Sequence, residues 1–127
     1  LHDSGFDNSD LNPEAVEMIE IDNLLQKFIE NLNGQERYFI DLHTTSSPSI
    51  PFAAIDRQPL SHTFALQLPI PFVSNLDEFL KGTLMYYLDH INFKAIVFEA
   101  GMHDDPASIK RHQAVIWLVL GMSGLLP

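Results

Sequence analysis

The sequence predicts an α/β protein of three layers, helix on sheet on helix, around a mostly parallel or mixed sheet. Two short, nearly continuous apolar runs, "RYFIDLH" and "FKAIVFEAG", have the pattern of strands covered on both faces. Segments of helical periodicity alternate with strand-like runs at short spacing, which is the signature of α/β layering. No internal repeat, low-complexity tract or linker interrupts residues 1–127, so one domain is the economical reading.

The first helix is predicted to start at Asn12-Pro13-Glu14. Asn caps free amides, Pro is preorganised at the first helical position, and an acid suits the positive helix end. Ile21, Leu24, Leu25, Phe28, Ile29 and Leu32 recur at intervals of three and four, and Asn33-Gly34 is a C-terminal stop, giving a helix over about 13–32. "RYFIDLH" follows as a buried strand, "PFAAI" as a weaker one, "LSHTFALQL" as a short helix and "IPFV" as a further strand. "SNLDEFLKGTLMYYLDH" reads as one helix capped by Ser74 or Asn75, with Leu76, Phe79, Leu80, Thr83, Leu84 and Tyr87 on its apolar face. Gly82 is expected to weaken that helix by about 1 kcal/mol without ending it. "FKAIVFEAG" is the second buried strand, closed by Gly101. Asp105-Pro106 opens a last helix carrying Ile109, Val115, Ile116, Val119 and Leu120, which "GMSGLLP" ends.

Composition narrows the function. The chain has 127 residues, 46% of them apolar, which is enough for a modest core. Its 17 acids against 7 Lys and Arg give a net charge of −10, which repels phosphate backbones and anionic lipid surfaces. Neither nucleic acid nor membrane is an expected partner. There is no cysteine, so any metal must be held by His, Asp or Glu. No apolar window has the length of a membrane span and no signal peptide opens the chain, so a cytoplasmic protein is the default. The opening "LHDSGFDNSDLNP" reads as the middle of a loop, and the expectation is a piece of a longer polypeptide.

The chemistry gathers at strand ends. In open α/β sheets, ligands bind beyond the carboxyl ends of the strands. The first clear strand ends in Asp41 and His43, the second in Glu99. A carboxylate delivered after "AIVF" is partly desolvated, which favours work as a general acid or base. His43 is either a ligand or a ring that caps the strand by bonding a carbonyl. Asp41, two residues back, shares its face and either steadies a metal-bound imidazole or makes a local turn bond. "HDDP", 103–106, is read as a helix cap rather than a metal cluster, His112 as facing solvent, and His2, His62 and His90 as unremarkable. Arg57 is a weak candidate for holding a substrate carboxylate through its bidentate fork; a surface arginine is the alternative.

The order of motifs, "DLHTTSSPSIPF", a proline-bounded strand, then "FKAIVFEAGMHDDPASIKRHQAVIWLVL", resembles the succinylglutamate desuccinylase and aspartoacylase family, zinc amidohydrolases related to the zinc carboxypeptidases. The resemblance runs from the first helix to Leu120. It implies a zinc-carboxypeptidase-like fold, one Zn2+ per site, and hydrolysis of the amide of a small N-acyl amino acid. His43 matches the family's later zinc-binding histidine, and Glu99 in "FEAG" matches its catalytic glutamate. The departures are equally specific. No His-x-x-Glu precedes His43, because the only upstream histidine is His2 and position 5 is Gly. Pro13 stands where the family's Asp-Leu-Asn-Arg segment has its Arg, Met102 replaces a common Gln, and a C-terminal β-rich part is lacking. The chain is therefore expected to be the central part of a larger catalytic domain, inactive by itself. The rival expectation is a non-catalytic domain that keeps the fold and binds a metabolite or partner.

Overall fold

The computed structural model describes residues 12–126 apart from residue 33. They fall into two units that divide between Gln35 and Glu36. The first unit holds helix α1 (Pro13–Glu30), which begins as its sequence dictates. Asn12 Oδ1 accepts from the Ala15 amide at 2.8 Å, and Pro13 and Glu14 occupy the first turn. No residue of α1 is buried, so its periodic apolar positions do not form a core; Leu24 and Phe28 are exposed.

The second unit runs through β1 (Tyr38–Thr45), β2 (Phe52–Ala54), α2 (Pro59–Ala65), β3 (Phe72–Val73), α3 (Asp77–Leu80), α4 (Leu84–His90), β4 (Lys94–Met102) and α5 (Ala107–Met122). The element order is the predicted one, with a single difference. The helix expected across 74–90 is two helices. Gly82 adopts a φ of +83°, a left-handed conformation that breaks the run, and the Thr83 hydroxyl accepts from the Tyr86 amide at 3.2 Å to start α4 afresh. The apolar face shifts accordingly. Met85 and Leu88 are buried, whereas Phe79 and Leu84 are exposed.

The four strands make an open mixed sheet in the order β1-β4-β2-β3. Central β4 is parallel to β1 and antiparallel to β2, and β2 is parallel to β3. Ile96, with Ile55 beside it, meets Phe64, Ala65 and Leu68 from α2 and its end, and Val119 from α5. Phe98 and Ala100 meet Val115, with Ile40 and Ile70 packed alongside. Alternate residues Ala95 and Val97 are buried as well, so β4 is covered on both faces. That is why its sequence is a continuous apolar run rather than an alternating one. Full burial of Ile96 and Phe64 contributes about 1.5–3 kcal/mol each. On α5, Val115 and Val119 face this core, and the similarly apolar Ile109 and Ile116 are exposed. No helix among the described residues is long and apolar enough to cross a membrane.

Candidate active site at the carboxyl ends of β1 and β4

Parallel pairing of β1 with β4 sets Asp41 opposite Val97, Leu42 opposite Phe98 and His43 opposite Glu99. Side chains of paired residues on neighbouring strands project from the same face. Asp41, His43 and Glu99 therefore share one face at the carboxyl end of the parallel pair, where the sequence places them. Phe52 of β2 pairs with Glu99 from its other side and belongs to the same row.

The His43 Nε2 lies 3.0 Å from Asp41 Oδ1, with both side chains partly exposed. A neutral imidazole that donates from Nε2 to this carboxylate presents the lone pair of Nδ1 outward, the tautomer control that a metal-binding ring requires. Glu99 is half-buried, and its Oε2 is buried without a hydrogen-bond partner. A buried carboxylate oxygen without a donor has lost its hydration uncompensated, which in folded proteins marks a place for a water, an ion or a reacting group.

Past this point the strands fall out of register. Thr45 pairs with Met102, so β4 has one residue more than β1 between the two pairings. Gly101 takes the extra turn at φ +100°, making a β-bulge where the sequence suggests the strand closes. A Cβ at Gly101 would lie 2.9 Å from Arg111 Nη1 and 3.4 Å from the Ser49 carbonyl oxygen. Arg111 fills that space because it has work there. Its Nη1 donates to the Ala100 carbonyl at 2.9 Å and to Asp105 Oδ2. Asp105 also accepts from the Ala107 amide at 2.9 Å, one residue before the Pro106 N-cap of α5. That amide bond first, and the Arg111 guanidinium second, hold its carboxyl below the ordinary aspartate range.

Two histidines take roles different from those expected. His112 does not simply face solvent; its Nε2 donates to the His43 carbonyl at 2.9 Å and its ring meets Phe98 edge-on. His103 Nδ1 bonds the Thr44 hydroxyl at 2.6 Å. The hydroxyl string after His43 closes its own turn, since Thr45 Oγ1 donates to the Ser47 carbonyl and bonds Ser49 Oγ, both at 2.8 Å. Beyond it lies an apolar groove of about 400 Å³ lined by Ser49, Ile50, Phe52, Pro71, Phe72 and Val73.

Arg57 does not join this row. It follows β2, which runs antiparallel to β4 and so leads from Glu99 toward the amino half of β4. There a different group assembles: Asp56, Asp89 and His90 each bring a ligand atom within 4.8 Å of the others, an arrangement able to hold a metal ion. His2 lies outside the described residues. The sequence reading missed Asp56 and Asp89, together with Arg111 and His112 as the groups that fix the strand ends. The signals available were an acid directly after "FAAI", another beside His90, and a glycine inside an apolar strand run. Comparison with protein-family models, with curated proteins and with solved structures gives no match.

Proposed function

We propose that this chain carries part of the active site of a zinc-dependent amidohydrolase that cleaves an N-acyl amino acid, built on a zinc-carboxypeptidase-like fold. Glu99 is the general base and His43 one metal ligand. The observation behind this reading is the donor-free, buried Oε2 of Glu99, set in register beside an imidazole whose far nitrogen is engaged by Asp41. When bound, Zn2+ supplies a Lewis acid and lowers the pKa of a coordinated water. Glu99 takes a proton from the attacking water and returns it to the leaving amine, a transfer worth about 10²–10⁴-fold in rate. The apolar groove is lined in part by Phe52, the residue paired with Glu99 across the sheet, and offers uncharged surface.

A catalytic zinc takes about three protein ligands. Among the described residues, no group of three metal-ligating side chains includes His43. The described residues do not complete the centre by themselves, and the proposal assigns its other ligands to residues outside them. In the full-length protein, Glu99→Gln is expected to lower kcat by at least a hundredfold with zinc content unchanged, and His43→Ala to lose the metal. Metal analysis beside an assay on N-acyl amino acids checks both. Retention of zinc and turnover in the two variants would overturn the assignment, and zinc-free, inactive wild-type protein would favour a non-catalytic binding domain.

A further inference from the structure

At the amino end of β4, two carboxylates are almost fully removed from water beside each other. Asp56 is 2% exposed and Asp89 3%. At least one oxygen of each is held by the protein. The Arg57 amide donates to Asp56 Oδ1 at 2.7 Å, and the Ser61 hydroxyl, itself fixed by the Ala95 amide at 2.8 Å, donates to Asp89 Oδ1. Asp89 Oδ2 is buried with no hydrogen-bond partner. His90 completes the group from the solvent side. Its Nδ1 donates to the Tyr86 carbonyl at 2.8 Å and lies 3.8 Å from Asp56 Oδ2, so ligation through Nδ1 moves that proton to Nε2 and gives up the Tyr86 bond; the ring lies 4.1 Å from that of Tyr86.

We infer that Asp56, Asp89 and His90 bind a divalent first-row metal ion, a site separate from the His43–Glu99 row. Two ionised carboxylates with a neutral imidazole carry a charge of −2, which a divalent cation neutralises where burial forbids water from doing so. Two carboxylate oxygens and one imidazole nitrogen suit Mn2+ or Zn2+ better than Mg2+ or Ca2+, which favour oxygen alone. Asp89 Oδ2 is the preformed acceptor, because orienting its partner oxygen through Ser61 and Ala95 is the kind of outer support that metal-binding carboxylates receive. The half-exposed His90 is the side from which an ion enters. In the absence of an ion, burial holds the Asp89 carboxyl above its ordinary range and the Asp56 charge adds to this, with the Ser61 bond and His90 opposing. The ion would tie the end of β2 to the end of α4, a structural role.

The test uses the full chain in the His43→Ala background, so that no ion held at His43 is counted. After dialysis against EDTA, titration with ZnCl2 and with MnCl2 is followed by calorimetry and by thermal melting. One ion per chain and a melting midpoint raised by several degrees are expected. Asp89→Asn keeps an oxygen for Ser61 and is expected to weaken binding at least tenfold. His90→Gln, at an exposed position that folding tolerates, does the same and covers the case in which Asp89→Asn fails to fold. Equal binding by the parent and His90→Gln overturns the site. So does a melting midpoint unmoved by either ion, which would leave Asp56 and Asp89 as a carboxyl pair sharing a proton.

Discussion

The two ends of β4 solve opposite problems with similar residues. At the carboxyl end, Glu99 is half-buried and the groups around it are fixed through their backbones: His112 holds the His43 carbonyl and Arg111 the Ala100 carbonyl. At the amino end, Asp89 is nearly sealed, and its own side chain is fixed through Ser61. A side chain held by bonds to its own atoms is committed to one place and suits a structural role. Glu99 and Asp89 each keep one buried oxygen without a hydrogen-bond partner; what differs is that Asp89 has its other oxygen anchored by Ser61, whereas Glu99 is half-buried at a strand end. The difference separates a candidate catalytic carboxylate from a candidate structural one without appeal to residue type.

The contrast breaks most readily at the bulge. Gly101→Val is expected to cost about 2–3 kcal/mol, because its left-handed φ strains any branched residue and its Cβ meets the guanidinium of Arg111. Urea unfolding measures this. Gly82→Ala is the sharpening control. Its φ is also positive, yet nothing lies within 4 Å of the added Cβ, so only the conformational term of about 1 kcal/mol remains. Equal losses at the two glycines would show that Arg111 does not fill the bulge.

Asp41→Asn probes the row itself. The carboxylate 3.0 Å from His43 Nε2 has no part in the hydrophobic core, so stability should hold. Under the proposed ligation by His43, metal affinity in the full-length protein is expected to fall about 10–100-fold, the usual effect of losing the partner of a ligating imidazole. Metal competition with a chromophoric chelator reads it. Unchanged affinity would reduce Asp41 to a surface neighbour.

The fold was legible in the sequence where local signals and burial agree. β4 is covered on both faces and reads as an unbroken apolar run, and Asn12-Pro13 starts α1 as capping chemistry requires. It was misread where backbone conformation overrules composition. Gly82 and Gly101 each adopt a positive φ, one splitting a helix and the other prolonging a strand, and periodicity alone cannot tell a tolerated glycine from a required one. Within the row, Asp41, His43 and Glu99 were visible because a polar residue ending an apolar run is conspicuous. Asp56 and Asp89 come together through pairing of β2 with β4 and the return of α4, contacts between residues far apart in the chain. No spacing along the sequence records that meeting.

The smallest expected effect lies in the support of the bulge. Asp105 binds the Ala107 amide and Arg111, and both favour its charged form, so its folded pKa lies below the unfolded value of 3.8. The folded chain then holds fewer protons than the unfolded chain between those two values. The contribution is complete above pH 3.8 and is lost as pH falls through the folded pKa. Asp105→Asn should therefore flatten the acid limb of the stability curve and leave neutral stability only slightly lower, since the group is solvent-screened. Urea midpoints measured from neutral pH down into the acid limb would show it. The same variant also frees Arg111 from one of its two anchors. If the Gly101 bulge depends on that arginine, Asp105→Asn should reduce the excess cost of Gly101→Val over Gly82→Ala; an unchanged excess would mean that the Ala100 carbonyl alone keeps Arg111 in place.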